Sequence, residues 1–248
     1  MNKYSTGSII GILLLWELLV RWLEVPKFLL PAPSIIFTYA IAKSNLLASH
    51  TLMTFLEAGT GFIIGSFSAI LTAIFFLWFR PLKEMFYPYA VILNSTPIVA
   101  IAAPIVIIFG SGMWSKVITA VICVFFPVLG PTFKSLASVG ASELKWMDSY
   151  HSSRWQKFWY LQFPFALPQI FASFKVAWTL AVIGAVVGEV FGAYKGLGFL
   201  IVDAIYIMDT PRVFASIIAC SLLGLSFVGL ITLVEKRVIA WHISAERR

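Results

Sequence analysis

Asn94, Ser95 and Thr96 stand together inside an otherwise apolar run, with Pro97 directly after them. An amide and two hydroxyls can hydrogen-bond a solute, and a proline that interrupts a helix can open the cavity in which they would do so. Small polar groups of this kind can equally serve helix packing. Two carboxylates, Glu57 and Glu189, also fall within apolar runs. Charge in lipid is costly and needs a reason. Near the outer ends of their runs, the two either reach water or line the outer mouth of a pathway. None of this is covalent chemistry. No G-x-x-x-x-G-K-[ST] is present to cradle phosphates, and the glycines of GAYKGLG (192–198) have the wrong spacing. There is no H-E-x-x-H, and His50, His151 and His242 lie at or beyond the ends of apolar runs, so a membrane protease is not expected. Cys123 and Cys220 lack metal spacing and read as small buried hydrophobes.

A second group of residues suits binding to a partner. Residues 143–170 read ELKWMDSYHSSRWQKFWYLQFPFALPQI, a mixture of charge (Lys145, Asp148, Arg154, Lys157) and large aromatics. Trp146 and Tyr150 are four apart, as are Trp155 and Trp159, so each pair shares a helix face. Such a segment is either an interfacial helix with its aromatics at headgroup level or a knob that docks into a groove on a cytoplasmic protein.

The elements that must hold these groups are membrane spans. The 248 residues are 60% hydrophobic and 12% charged, with a mean hydropathy of +0.93. A soluble fold of that composition would expose large apolar patches. Six stretches approach the roughly 20 apolar residues that a spanning helix needs: 7–23, 55–79, 87–109, 115–133, 166–190 and 212–234. The first is the weakest, because Glu17 and Arg21 fall in it; it lacks a small-residue cleavage site and reads as a retained span. Residues 26–52, with Pro26, Pro31 and Pro33, read as a loop plus a surface helix. With the N-terminus in the cytoplasm, the inner side holds Lys3, Arg80, Lys83, Lys134, Lys145, Arg154, Lys157, Lys236, Arg237, Arg247 and Arg248. The outer side holds Arg21, Lys27, Lys43, Lys116, Lys195 and Arg212. Eleven against six puts both termini inside, which an even number of spans permits. Lys175, in the first turns of the fifth span, is expected to snorkel to the cytoplasm. The basic residues flank spans and form no stripe, so nucleic acid is not an expected partner. Gly61-x-x-x-Gly65 and Gly184-x-x-x-Gly188 fit close helix contacts, within one subunit or at a dimer seam.

A family resemblance joins these signals. SSRWQKFWYLQFPFALPQI (152–170) looks like the second half of the EAA loop of ABC importer permeases, the loop that joins the membrane subunit to its ATPase. LLPAPSIIF (29–37), NSTPIVAIAAPIVIIFGSG (94–112) and VVGEVFGAYKGLGFLI (186–201) resemble, in the same order, segments of the nitrate, taurine, alkanesulfonate and thiamine-precursor group. The first half of the EAA motif departs from the pattern: Glu-Ala-Ala falls on Lys145, Trp146 and Met147, and the motif's glycine falls on His151. The resemblance implies an all-α membrane protein with about six transmembrane helices, a type I ABC importer permease (MetI-like) core over residues 1–248. It implies a cytoplasmic coupling loop at 143–163, whose Lys145, Trp146, Met147, Asp148, Ser149, Tyr150, His151, Ser152, Ser153, Arg154 and Trp155 meet the ATPase. Its implied partners are a second copy of the permease, two ATPase subunits that use ATP and Mg, and an extracytoplasmic solute-binding protein, all at a bacterial cytoplasmic membrane. No cofactor is expected on the chain itself. The mechanism implied is alternating access. The absence of deep Arg or Lys tilts the substrate towards a vitamin-like heterocycle, such as a thiamine precursor, over a small organic anion such as a sulfonate. The other reading of the chain is an ATP-independent secondary transporter or channel; a non-transporting scaffold is a third.

Overall fold

In lipid every backbone N–H and C=O needs an internal partner, and runs of Leu, Ile, Val, Phe and Ala meet that need as helices. A computed structural model describes residues 3–239, all of whose regular elements are helical. His242, Arg247 and Arg248 lie outside the described residues. In chain order the helices are α1 (Lys3–Trp22), α2 (Pro33–Ala42), α3 (Ser44–Trp78), α4 (Arg80–Ser95), α5 (Ile98–Phe109), α6 (Met113–Ala137) and α7 (Ala141–Ser149). They are followed by the single turn α8 (Arg154–Lys157), a π turn (Phe158–Gln162), α9 (Phe163–Val190), α10 (Leu197–Tyr206) and α11 (Thr210–Val238). The turn α8 runs through the π turn into α9 as one helix of 37 residues.

Four helices are long and apolar enough to cross a membrane: α3, α6, the continuous Arg154–Val190 helix and α11. The expected third span, 87–109, is two helices, α4 and α5, bent by 98° at Thr96–Pro97; counted together they make a fifth span. The fold is thus a multi-pass bundle of four to five clear spans, where six were expected. The helix that carries the second span, expected over 55–79, starts well before residue 55. It begins at Ser44, because the polar residues between Ser44 and Thr54 include no breaker. At about 1.5 Å per residue it is about 52 Å long, well beyond a hydrocarbon core of roughly 30 Å. The expected surface helix is α2; α10, which follows Gly196, was expected to be loop.

Helix α6 is the centre of the bundle, clasped by α3 and α9. The glycine pairs make this approach possible. A methyl group at Gly61 would lie 2.4 Å from Ala120 Cβ, and one at Gly184 would lie 2.9 Å from Ala120 Cα. Gly65 meets Val124 and Gly188 meets Lys116 in the same way. Both small-residue stripes therefore work inside one subunit, on opposite flanks of α6. Around them Ala58, Ala69, Val124, Val128, Leu129, Ala177 and Ala181 are fully buried. Trp178 closes the core towards α11, stacked on Phe227 with ring centroids 3.9 Å apart and its Nε1 donating to the Leu223 carbonyl at 3.4 Å. Rows of exposed Leu and Ile on α1, α5 and α11 face outward, as lipid contact requires.

Two of the charges inside or near the spans are paired. Glu17 accepts from Arg21 Nε at 2.6 Å and from the Ser34 N–H at 3.0 Å, so the awkward carboxylate of α1 caps the N-terminus of α2. Lys175 Nζ bonds Glu235 of α11 at 2.6 Å, rather than simply reaching for the cytoplasm.

Candidate functional site

The cytoplasmic loop is shaped by its own hydrogen bonds. Helix α7 ends in a Schellman motif: Ser152 N–H donates to the Met147 carbonyl at 3.3 Å and His151 N–H to the Asp148 carbonyl at 2.9 Å. The motif puts His151 in the left-handed region, at φ +55°. This is the position onto which the family's glycine falls, so the turn a glycine would make is present, made by a residue with a side chain. Among L-residues, histidine is one of the few enriched there. Ser153 then starts α8 with a capping box: its Oγ accepts from Gln156 N–H at 3.2 Å, and Gln156 Oε1 accepts from Ser153 N–H at 2.8 Å. An Asp148–Lys157 ion pair ties α7 to the turn beyond it.

None of the residues of α7 is buried. Trp146 and Tyr150, 65% and 68% exposed, meet edge to face at 5.3 Å and stand proud of the loop. Lys145, Asp148, Ser149, His151, Ser153 and Arg154 are exposed beside them, with Met147 and Ser152 half-buried. The second aromatic pair is exposed as well, Trp155 at 57% and Trp159 at 46%, but it also leans on the bundle. Trp155 touches Trp78, the last residue of α3, at 5.5 Å, and Trp159 at 5.8 Å, while Phe158 is buried against Trp78 at 5.9 Å. The loop thus offers Trp146 and Tyr150 outward, while Phe158 is the anchor on the inner end of α3 and Trp155, still largely exposed, rests beside it.

The break between α4 and α5 opens a cavity of about 300 Å³. Asn94, Ser95 and Thr96 line it from one side; Ile122 and Cys123 of α6 and Leu180 and Ile183 of α9 line it from the other. Pro97 cannot donate an N–H, and the chain turns there. Ser95 and Thr96 hydroxyls donate back to the Val91 and Ile92 carbonyls at 2.9 and 3.0 Å, satisfying the frayed end of α4. The three polar residues are brought together at a hollow, as their spacing suggested.

Glu57 and Glu189 do not join them. Each is 1% exposed, so neither reaches water as one reading expected, and neither lines the cavity at the break. Their carboxyl groups adjoin one another. Glu189 accepts from Thr54 Oγ1 at 2.7 Å and from Gly198 N–H at 2.6 Å, and Thr54 Oγ1 in turn accepts from Leu197 N–H at 2.9 Å. His50 Nδ1 lies 3.1 Å from Gly196 N. The result is a latch that pins the α9–α10 loop onto α3 and α9. It also accounts for the glycines: a methyl at Gly196, where φ is +117°, would fall 2.2 Å from the Glu189 carboxyl, and one at Gly198 would fall 2.4 Å from the Val186 carbonyl. Lys116, counted above as an outer-side charge, is 1% exposed and donates to the carbonyls of Ser111, Gly112 and Gly192 at 2.7, 3.1 and 2.6 Å. Sequence reasoning missed Lys116, Thr54 and His50 as members of this network. The only signal was a polar residue in or near the outer turn of each apolar helix.

Comparison with known proteins agrees with this geometry. Residues 61–240 match the model of the family described as binding-protein-dependent transport system inner membrane component. The riboflavin transport system permease protein of Chloroflexus aurantiacus is 32% identical over 94% of this chain and 88% of its own length. The formylaminopyrimidine transport permease protein of Halalkalibacterium halodurans is 31% identical over 93% and 92%. A putative aliphatic sulfonates transport permease of Bacillus subtilis is 26% identical over 95% and 86%. In fold, the chain resembles the MetNI methionine ABC transporter in an inward-facing conformation, with a TM-score of 0.61 and 16% identity over 79% of this chain and 94% of that one. The chain belongs to the binding-protein-dependent inner membrane components, the non-catalytic permease subunits through which ABC importers move small solutes by alternating access while a separate subunit hydrolyses ATP.

Proposed function

We propose that this permease serves the uptake of a neutral, vitamin-like heterocycle of the thiamine-precursor kind, and that Asn94, Ser95 and Thr96 are its polar contacts in the cavity at the α4–α5 break. The observation that carries this reading is the lining of that cavity: among the described residues it holds an amide, two hydroxyls, a thiol and aliphatic surface, and no charged side chain. A flat polar ring suits such a lining, since a few placed donors and acceptors orient it and apolar walls cover its faces. Two relatives above 30% identity whose printed names state a cargo, riboflavin and formylaminopyrimidine, support the same class. One observation favours a second reading, a small organic anion such as a sulfonate: the N-terminus of α5 lies at the same break, and helix N-termini attract anions. Uptake of labelled formylaminopyrimidine and of labelled taurine, each with the cognate binding protein present, separates the two. Uptake of the heterocycle alone, reduced at least tenfold by Asn94→Leu, fits the first reading; uptake of taurine alone overturns it.

The remaining assignments follow from the family architecture of a permease pair, ATPases and a binding protein. Residues 1–248 act as one permease domain, two copies of the chain form the pair, α1 supplies the sixth span, and both termini lie in the cytoplasm. The loop at 143–163 is the coupling element. Trp146 and Tyr150 enter a groove on the ATPase, with Lys145, Met147, Asp148, Ser149, His151, Ser152, Ser153, Arg154 and Trp155 around them. Glu57 and Glu189 act on the pathway by holding its outer end through the latch. If Arg154→Glu with Trp155→Ala leaves uptake untouched, and the solubilised permease never retains an ATPase, the coupling assignment is wrong.

A further inference from the structure

The cavity at the break does not stand alone. A larger one, about 870 Å³, lies nearer the cytoplasm between the same helices, bounded by Lys83 and Tyr87 of α4, Phe126, Gly130 and Lys134 of α6, and Gln169 of α9. The two are stacked along one seam. On α6 the outer cavity touches Ile122 and Cys123 and the inner one begins at Phe126, one helical turn further in. On α4 the outer cavity reaches inward to Leu93 and the inner one outward to Tyr87, a separation of about 9 Å. On α9 they touch Leu180 and Gln169, about 16 Å apart. At the outer end of the inner cavity, on the side of the break, stands an aromatic pair. The Tyr87 and Phe126 rings meet across the seam with centroids 6.0 Å apart, and the Tyr87 hydroxyl rests over Gly130, 4.0 Å from where a side chain would begin.

Two further features suggest that this contact can open. Each aromatic residue directly precedes a proline inside its helix, Pro88 in α4 and Pro127 in α6. Each proline removes one backbone hydrogen bond, so both helices are softened at the level of the pair. Helix α4 is also lightly held: none of its described side chains is fully buried, and Lys83 over the Phe133 ring at 4.7 Å is its main polar tie to α6. It can shift without disturbing the α3–α6–α9 core.

We propose that Tyr87 and Phe126 form the constriction that separates the solute cavity at the break from the cytoplasmic vestibule, and that its opening, hinged at Pro88 and Pro127, releases the solute inward. The proposal rests on the reading of the break as the solute cavity, and the test keeps the two apart. Reporter cysteines are placed above the pair (Ser95→Cys) and below it (Ser135→Cys) in a chain carrying Cys123→Ser and Cys220→Ser. Inside-out vesicles holding the complete transporter are treated with a membrane-impermeant cationic methanethiosulfonate. With the pair intact, Ser95→Cys should react at least an order of magnitude more slowly than Ser135→Cys. Tyr87→Ala with Phe126→Ala should bring the two rates within about twofold, while Tyr87→Phe, which keeps the ring, should leave Ser95→Cys slow. Tyr87→Leu alone serves if the double variant does not reach the membrane. Equal rates with the pair intact, or a Ser95→Cys rate that stays slow after truncation while Ser135→Cys still reacts, overturns the proposal. Formylaminopyrimidine added to the same vesicles tests the cavity itself: slowed labelling of Ser95→Cys supports the solute site, and unchanged labelling removes it while leaving the constriction to be judged by the rates.

Discussion

His151 offers the sharpest test of how the loop is built. It holds the position after α7 at φ +55°, where two backbone hydrogen bonds of a Schellman motif converge. The left-handed region costs an L-residue about 1–2 kcal/mol that glycine does not pay, while glycine loses about 0.5–1 kcal/mol more in conformational entropy on ordering. His151→Gly should therefore stabilise the motif by roughly 0.75 kcal/mol, which is about a three- to fourfold smaller opening equilibrium. His151→Val should act the other way, since a β-branched residue is a true outlier at positive φ; a further cost of about 1–2 kcal/mol predicts opening some five- to thirtyfold more frequent. Hydrogen exchange of the peptide covering 147–153, in the detergent-solubilised complex, reads both through the amides of His151 and Ser152. Faster exchange in His151→Gly, or a His151→Val indistinguishable from the parent, would refute the strained-turn account.

Three further outcomes are expected. Gly184→Leu should cost well over about 1–3 kcal/mol and lower the melting temperature sharply, because the added atoms meet the α6 backbone; Gly59→Ala, with nothing within 4 Å, should be neutral or gain up to about 1 kcal/mol. A lack of contrast between the two in thermal melts would count against the packing described. Ser153→Ala removes the cap of α8 and should cost about 1 kcal/mol, seen as faster exchange across 153–157. Lys175→Met should destabilise by about 2 kcal/mol by stranding Glu235, and adding Glu235→Leu should recover most of the loss in the same melts.

What was legible in the sequence was what composition and spacing control. Apolar runs marked four of the spans and the broken fifth, and Trp146–Tyr150 and Trp155–Trp159 fell on shared faces as their four-residue spacing requires. The hollow at Asn94–Thr96 was announced by a proline behind polar residues. What was not legible depends on which helices meet. The glycine stripes were visible, but only the fold assigns both to α6 within one subunit. Glu57, Glu189 and Lys116 looked like residues reaching for water because a linear reading cannot see Thr54, Gly112, Gly192 and Gly198 closing around them. The extent of α3 and the existence of α10 were missed for a related reason: polar or glycine-flanked ends fall below a hydropathy threshold while still satisfying helical hydrogen bonds.

The helix from Arg154 to Val190 has one more consequence. About 55 Å of continuous helix, with a π turn and Pro164 and Pro168 near its inner end, is gripped there by Trp78 and the Asp148–Lys157 pair and at its outer end by the Glu189 latch. A member fixed at both ends transmits load in either direction. If the loop is the coupling element proposed above, a torque applied to it should reach the latch, and a protein pressing on the α9–α10 loop should push back on α7. Because such coupling is reciprocal, slackening the latch should dull the response at the cytoplasmic face even though some 55 Å of helix separates the two.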